Sequence, residues 1–200
     1  MGKGFSIPAA VLGALLALLT AAGCASVPGR AANAPMAVSG AGYGISEADI
    51  PYNLTDVLFA REMMLHYRQS AALARLAGGR GRDAYVKSLA ARILAEEPAK
   101  AEVLAGRLRA WEFPVPDPKN PPKHEMPGML SPAQLLLLER ESGPGFDRLW
   151  LTTLARHAHY GVLLADKAEA EGKDRATVDL ARTAAAAQRA QVEEITARVS

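Results

Sequence analysis

Asp56-Val57-Leu58-Phe59-Ala60-Arg61-Glu62-Met63-Met64-Leu65-His66 returns, 91 residues on, as Asp147-Arg148-Leu149-Trp150-Leu151-Thr152-Thr153-Leu154-Ala155-Arg156-His157. The correspondence runs without a gap over residues 56–108 and 147–199. Leu73-Ala74 pairs with Leu164-Ala165, Gly81 and Asp83 with Gly172 and Asp174, Leu89-Ala90 with Leu180-Ala181, and Glu102 with Glu193. Alanine matches carry little weight in so alanine-rich a chain, but the His, Gly, Asp and Leu matches are harder to produce by chance. A repeat of this length means one supersecondary unit used twice.

The content of the unit follows from its punctuation. A helix begins near Leu54, with Asn53 or Thr55 as its cap, and is expected to stop at Ala77 before Gly78-Gly79-Arg80-Gly81. Asp83 caps a second helix that runs to about Trp111, where Phe113-Pro114-Val115-Pro116 ends it. In the other half a helix is expected from near Phe146 to Gly172, and Asp174 caps a last helix reaching nearly to Ser200. Each half is an αα-hairpin, and two hairpins bury their apolar stripes as an all-α, ferritin-like four-helix bundle. Pro98 lies inside the second helix, where it removes a backbone hydrogen bond, so a bend or break is expected near Ala95.

The expected organisation is a hairpin at 53–112, a connector at 113–144 and a hairpin at 145–200. The connector is proline-rich up to Pro127. Ser131-Pro132 then opens a short helix through Leu135-Leu138, with Ser at the cap and Pro at the first position. Residues 1–23 read as a secretory signal: Lys3, an apolar run from Ile7 to Leu19, and the small-residue exit Ala21-Ala22-Gly23 before Cys24. Ala-Gly-Cys resembles a bacterial lipobox, which makes Cys24 the expected lipidation site and the membrane a partner through that anchor. Residues 24–52, rich in Ala, Gly, Pro and Ser, read as a flexible tether. The protein is thus expected in the cell envelope, facing the periplasm or the cell exterior.

Cys24 is the single cysteine, so an intrachain disulfide is excluded and the bundle must stand on its own core. The formal net charge is +2, with acidic and basic residues interspersed, and no clustered basic face marks a nucleic-acid partner. Asp56, Phe59, Met63, His66, Ser70, Leu73 and Ala77 fall on one helical face. The matching face carries Asp147, Trp150, Leu154, His157, Gly161, Leu164 and Ala168. His66 and His157 therefore point inward at equivalent places. If the hairpins pack about a pseudo-twofold axis they approach each other, and with Met63 nearby they form a candidate metal set suited to copper. The plainer reading is that each is a core histidine with one hydrogen bond and that Met63 is filler. His159, two residues on, is expected to be exposed.

A second soft-ligand cluster, His124-Glu125-Met126-Pro127-Gly128-Met129, sits in the connector; Met126 and Met129 could equally anchor that loop. A ferritin-type di-iron site is disfavoured. Glu62 and His66 are four residues apart rather than three, and Thr153 replaces Glu62 in the second half. No nucleophile motif or phosphate-binding glycine loop is present, so the protein is expected not to be an enzyme.

The spacing Asp56-x-x-Phe59-x-x-x-Met63-x-x-His66, the run Gly128-Met129-Leu130-Ser131, and Gly145-Phe146-Asp147-x-x-Trp150-Leu151 with Arg156-His157 together resemble the bacterial family called domain of unknown function 305. The resemblance covers about Asn53 to Ile195. It implies a duplicated ferritin-like bundle, export, and in some members copper binding. It also implies a His-His pair in each half, of which the chain keeps His66 and His157 but has Tyr67 and Ala158 in the second places. Met129-Leu130 stands for a Met-Met pair. Glu97 with Lys100, and Gln188 with Gln191, stand where the family has Gln-x-x-Glu. Leu104 and Ile195 stand for a methionine. The expectation is a divergent member: an envelope protein binding or handling copper, or alternatively a non-enzymatic interaction or scaffold module that has lost metal binding. The protein partner is not readable.

Overall fold

The computed structural model describes residues 47–117 and 126–199. The signal segment, Cys24, most of the tether and His124 lie outside the described residues. Five α-helices follow a single 3-10 turn at Glu47–Asp49: α1 (Leu54–Arg80), α2 (Ala84–Ala110), α3 (Pro132–Arg140), α4 (Gly143–Glu171) and α5 (Arg175–Val199). α1 packs along α2, α4 packs along α5, and the two hairpins meet chiefly through α1 and α4. α3 lies against α4.

The helix starts follow the side chains that cap them. Asn53 accepts from the Asp56 backbone N–H while Asp56 accepts from that of Asn53, a reciprocal capping box. Asp83 accepts from Tyr85 N–H, and Asp174 from Thr177 N–H. Ser131 and Gln134 form a second capping box at α3.

Several boundaries differ from the sequence expectation. α1 continues through Gly78 and Gly79 to Arg80, because neither glycine is in a left-handed conformation and a helix tolerates them at modest cost. α4 starts at Gly143, three residues before Phe146, with Pro144 in its first turn. Pro98 does not break α2, which is continuous over Ala84–Ala110. Pro98 and Leu94, whose carbonyl loses its partner, both lie on the exposed side, where water can take the hydrogen bond. The last residues assigned to the tether are also docked. Tyr52 stacks on Trp111 at a centroid distance of 4.7 Å, and Lys173 Nζ donates to Ala48 O.

The repeated Asp and Gly residues close the bundle. Asp56 Oδ2 accepts from Lys173 N–H (2.9 Å) and Asp174 N–H (3.0 Å), in the turn between α4 and α5. Asp147 accepts from Arg82 N–H (3.1 Å) and Asp83 N–H (3.0 Å), in the turn between α1 and α2. Each hairpin thus grips the other's turn, which sets α1 and α4 antiparallel. Gly81 and Gly172 are needed here for closeness rather than for an unusual φ. A Cβ on Gly81 would come 3.0 Å from Asp147 Oδ1, and one on Gly172 would come 2.6 Å from Asp56 Oδ1 and 2.5 Å from Ala168 O.

The core is filled in two parts. One gathers Phe59, Met63, Met64, Leu104 and Leu108 with the alanines of α4 and α5. The other gathers Leu73, Leu89, Ile93, Phe146, Trp150 and Leu154. Trp150 is fully buried and satisfies its indole N–H on Leu73 O at 2.9 Å. Among the described residues no helix is long and apolar enough to cross a membrane.

Removing either aspartate grip strands the part-buried backbone N–H groups of the opposite turn. Asp147→Ala and Asp56→Ala are each expected to lower stability by about 3 kcal/mol in urea denaturation. Gly172→Ala should cost a similar amount, whereas Gly78→Ala, with open space around it, should gain about 0.5–1 kcal/mol. Equal effects at the two glycines would refute the closeness argument.

Candidate metal centre

His66 and His157 meet at the crossing of α1 and α4. Their rings stack face to face, with centroids 3.7 Å apart and planes 2° from parallel. His66 is 1% exposed and His157 0%. His66 Nε2 donates to His157 O at 2.8 Å, and His157 Nε2 lies 3.3 Å from His66 O. The exchange is reciprocal, so the pseudo-twofold axis passes between the rings. His159 is exposed, as expected.

Of the sequence-derived set, His66 and His157 are therefore brought together, but not as convergent ligands, and Met63 is buried one turn before His66 with its sulfur against the Gln188 amide. A metal–nitrogen bond of about 2.0–2.1 Å lies near the imidazole plane. Two parallel stacked planes do not meet, so a single ion cannot lie in both. Among the described residues no group of three or more His, Cys, Asp or Glu side chains is arranged to hold a metal ion.

The two histidines differ in what remains to them. A carbonyl oxygen can only accept, so His66 carries its proton on Nε2 and its Nδ1 presents a bare lone pair. That Nδ1 is buried and has no hydrogen-bond partner among the described residues. His157 has both nitrogens facing carbonyls: Nδ1 lies 2.9 Å from Gly128 O, Nε2 on His66 O. Burial, and for His66 also the neighbouring His157, hold both rings below the ordinary imidazole range, so both are neutral at pH 7 and His157 donates to only one of its two facing carbonyls.

The carbonyl on His157 comes from the connector. Gly128 has φ +80°, and a Cβ there would come 2.2 Å from Tyr160 Cβ. Gln69 holds the same segment by accepting from Leu130 N–H (2.7 Å) and donating to Leu130 O (3.2 Å). Sequence reasoning did not single out Gln69; its place beside the apolar stripe of α1 gave no hint of a partner 61 residues away. Met126 is buried and Met129 half-buried against the cluster that contains Met63, so both anchor the connector.

A polar group lies on the α2 and α5 side of this core. Gln188 Nε2 is 3.5 Å from Met63 Sδ, and its amide lies over Gly161, where a Cβ would come 1.9 Å from Oε1. Ser70 hydrogen-bonds Glu97, the repeat counterpart of Gln188. Glu97 Oε2 has no partner among the described residues, and burial pushes its carboxyl up to about 7, partly offset by Ser70 and Lys100. Lys100 itself pairs with Glu96 at 2.8 Å rather than pointing into the core.

A duplicated helical hairpin whose halves exchange carboxylate grips and histidine hydrogen bonds defines the class of bundle. The chain belongs to the family described as domain of unknown function DUF305, whose model matches residues 56–198. Solved structures share the fold. A DUF305 protein of Streptomyces coelicolor, provisionally designated secreted, is 24% identical with a TM-score of 0.64, covering 70% of this chain and 89% of that one. A DUF305 fragment from Deinococcus radiodurans is 23% identical with a TM-score of 0.65, covering 74% and 97%. CopM in its Cu(I)-bound form is 19% identical with a TM-score of 0.61, covering 72% and 94%. No curated protein matches the chain.

Glu97 carries a pH signature. The folded carboxyl keeps its proton up to about pH 7, whereas the unfolded one releases it near 4.5. The unfolded state therefore binds fewer protons over that interval, and stability falls as pH rises through it. Glu97→Gln should remove this decline and gain on the order of 2 kcal/mol above pH 7. Denaturation of both proteins at pH 5 and pH 8 checks it; a variant no more stable than its parent at pH 8 refutes it.

Proposed function

We propose that the chain is an exported, non-enzymatic envelope protein, held to a membrane through lipidated Cys24, that binds Cu(I) at one asymmetric position built on His66 and Met63. The observation that carries this reading is His66 Nδ1: unprotonated, buried and without a partner among the described residues. A neutral imidazole nitrogen and a thioether three residues apart on one helical face suit a soft ion. Met63 is fully buried one helical turn before His66, and its sulfur accepts from the Gln188 amide at 3.5 Å. His157, whose two nitrogens both face backbone carbonyls, positions His66 through the stack and the backbone contact. The likeness to CopM, solved with Cu(I) and with Cu(II), supports copper as the ion. The designation of the Streptomyces coelicolor relative supports export.

The second reading is an interaction or scaffold module without metal. The parallel rings favour it, since they serve as a structural clasp without any ion.

Titration of the full-length protein with Cu(I) against a competing chelator separates the two. One equivalent is expected to bind, with affinity falling about tenfold or more in Met63→Leu, the residue the other half carries at Leu154. His66→Ala should abolish binding. Far-ultraviolet circular dichroism on each variant separates ligand loss from unfolding. Absence of binding by the folded parent, or Met63→Leu affinity equal to the parent's, rules out the metal reading.

A further inference from the structure

The cleft between α2 and α5 is independent of the copper reading and has its own chemistry. The two helices are held by their hairpin partners and pack little on each other. They leave a cavity of about 240 Å³ lined by Tyr67, Glu97, Lys100, Gln188 and Gln191, with Arg92–Glu194 and Lys100–Glu96 ion pairs at its edges. A smaller space of about 110 Å³ adjoins it, lined by Phe59, Leu104, Leu180 and Ala184. Tyr67, Lys100 and Ala187 line both spaces and join them.

Two buried oxygens of the polar space have no hydrogen-bond partner among the described residues, Gln188 Oε1 and Glu97 Oε2, and Glu97 is the ionisable one. Arg92 and Lys100 are each paired with a glutamate of the rim, while Glu97 is only 7% exposed and its Oε2 has no hydrogen-bond partner among the described residues. A buried carboxyl oxygen left unpaired is costly and calls for a donor. A positively charged donor supplies both hydrogen bond and charge. A hard metal cation fits poorly, since calcium requires about six to eight oxygen ligands and no cluster of three ligating residues is present among those described. The neighbouring apolar space has no role for an inorganic ion, but it suits a hydrocarbon group attached to the donor.

We propose that the α2–α5 cleft binds a small organic ammonium with an apolar substituent, its N–H groups on Glu97 and its hydrocarbon part on the Leu104–Leu180 side. The rim ion pairs are exposed, so opening them to admit a ligand costs little. The repeat explains why the cavity holds one buried carboxyl rather than two. Glu97 is matched across the same cleft by Gln188, and Ser70 by Gly161, so the second half adds no buried charge.

Phenethylammonium, phenethyl alcohol, methylammonium and calcium, titrated into the full-length protein by calorimetry, test the proposal. Phenethylammonium is expected to bind with a dissociation constant on the order of 0.1–1 mM, a value in keeping with its size. The alcohol and methylammonium should each bind at least about tenfold more weakly, lacking the charge or the hydrocarbon. Glu97→Gln, which copies the side chain of position 188, should weaken phenethylammonium by a similar factor. Ala187→Phe, a substitution at an exposed helix position where the two spaces join, should do the same without touching the carboxyl. No saturable binding of phenethylammonium, equal affinity in Glu97→Gln, or tighter binding of calcium would overturn it.

Discussion

The bundle depends on a reciprocal grip between carboxylates and backbone turns. Asp56 and Asp147 stand at the beginnings of α1 and α4, and each accepts N–H groups from the turn that closes the opposite hairpin. A buried carboxylate is expensive unless it is hydrogen-bonded, and here Asp56 Oδ2 and both oxygens of Asp147 accept from donors that would otherwise be stranded at helix starts, while Asp56 Oδ1 has no partner among the described residues. The grip also forces glycine at positions 81 and 172, because a side chain there would occupy the space of the carboxylate. Antiparallel α1 and α4, the pseudo-twofold axis and the meeting of the two histidines all follow from it.

Much of this was legible in the sequence because duplication displays it twice. The paired Asp, Gly and His positions marked hairpins, caps and an inward-facing histidine on each half, and the bundle has that form. What each repeated residue touches was not legible. Gly81 and Gly172 looked like helix breakers, yet the helix preceding Gly81 runs on through Gly78 and Gly79 and stops where Asp147 approaches. Asp83 and Asp174 do cap helices, but their own N–H groups are also held from the opposite hairpin, a contact local pattern cannot express. Pro98 suggested a break because propensity reasoning ignores where the freed carbonyl points; here it lies toward solvent.

The candidate site was less readable for the same reason. Spacing could bring His66 and His157 to one axis, but ring orientation depends on which carbonyls the nitrogens find. Each ring reaches across to the other's backbone, which turns the planes parallel and spends the Nε2 positions on structure. Glu97 was noticed as a departure from a family pattern, and its burial and unpartnered oxygen come from packing against Ser70 and from the gap that α2 and α5 leave between them.

Symmetry explains the fold, and its violation explains the chemistry. The duplication supplies two equivalent histidines, but the chain has a single connector between its hairpins, and Gly128 of that connector meets one of them. Gln69 clips that connector to α1, Gly128 turns there with a positive φ, and its carbonyl engages Nδ1 of His157. Among the described residues nothing equivalent reaches His66, whose Nδ1 is left with its lone pair. The same half carries Met63 where the other has Leu154, Tyr67 where it has Ala158, and Glu97 where it has Gln188. Polar and soft side chains have thus accumulated in the half whose histidine no described connector residue engages. A twofold scaffold with a single-copy linker can hold one reactive position and one structural counterpart at the same crossing, with the second histidine keeping the first in register.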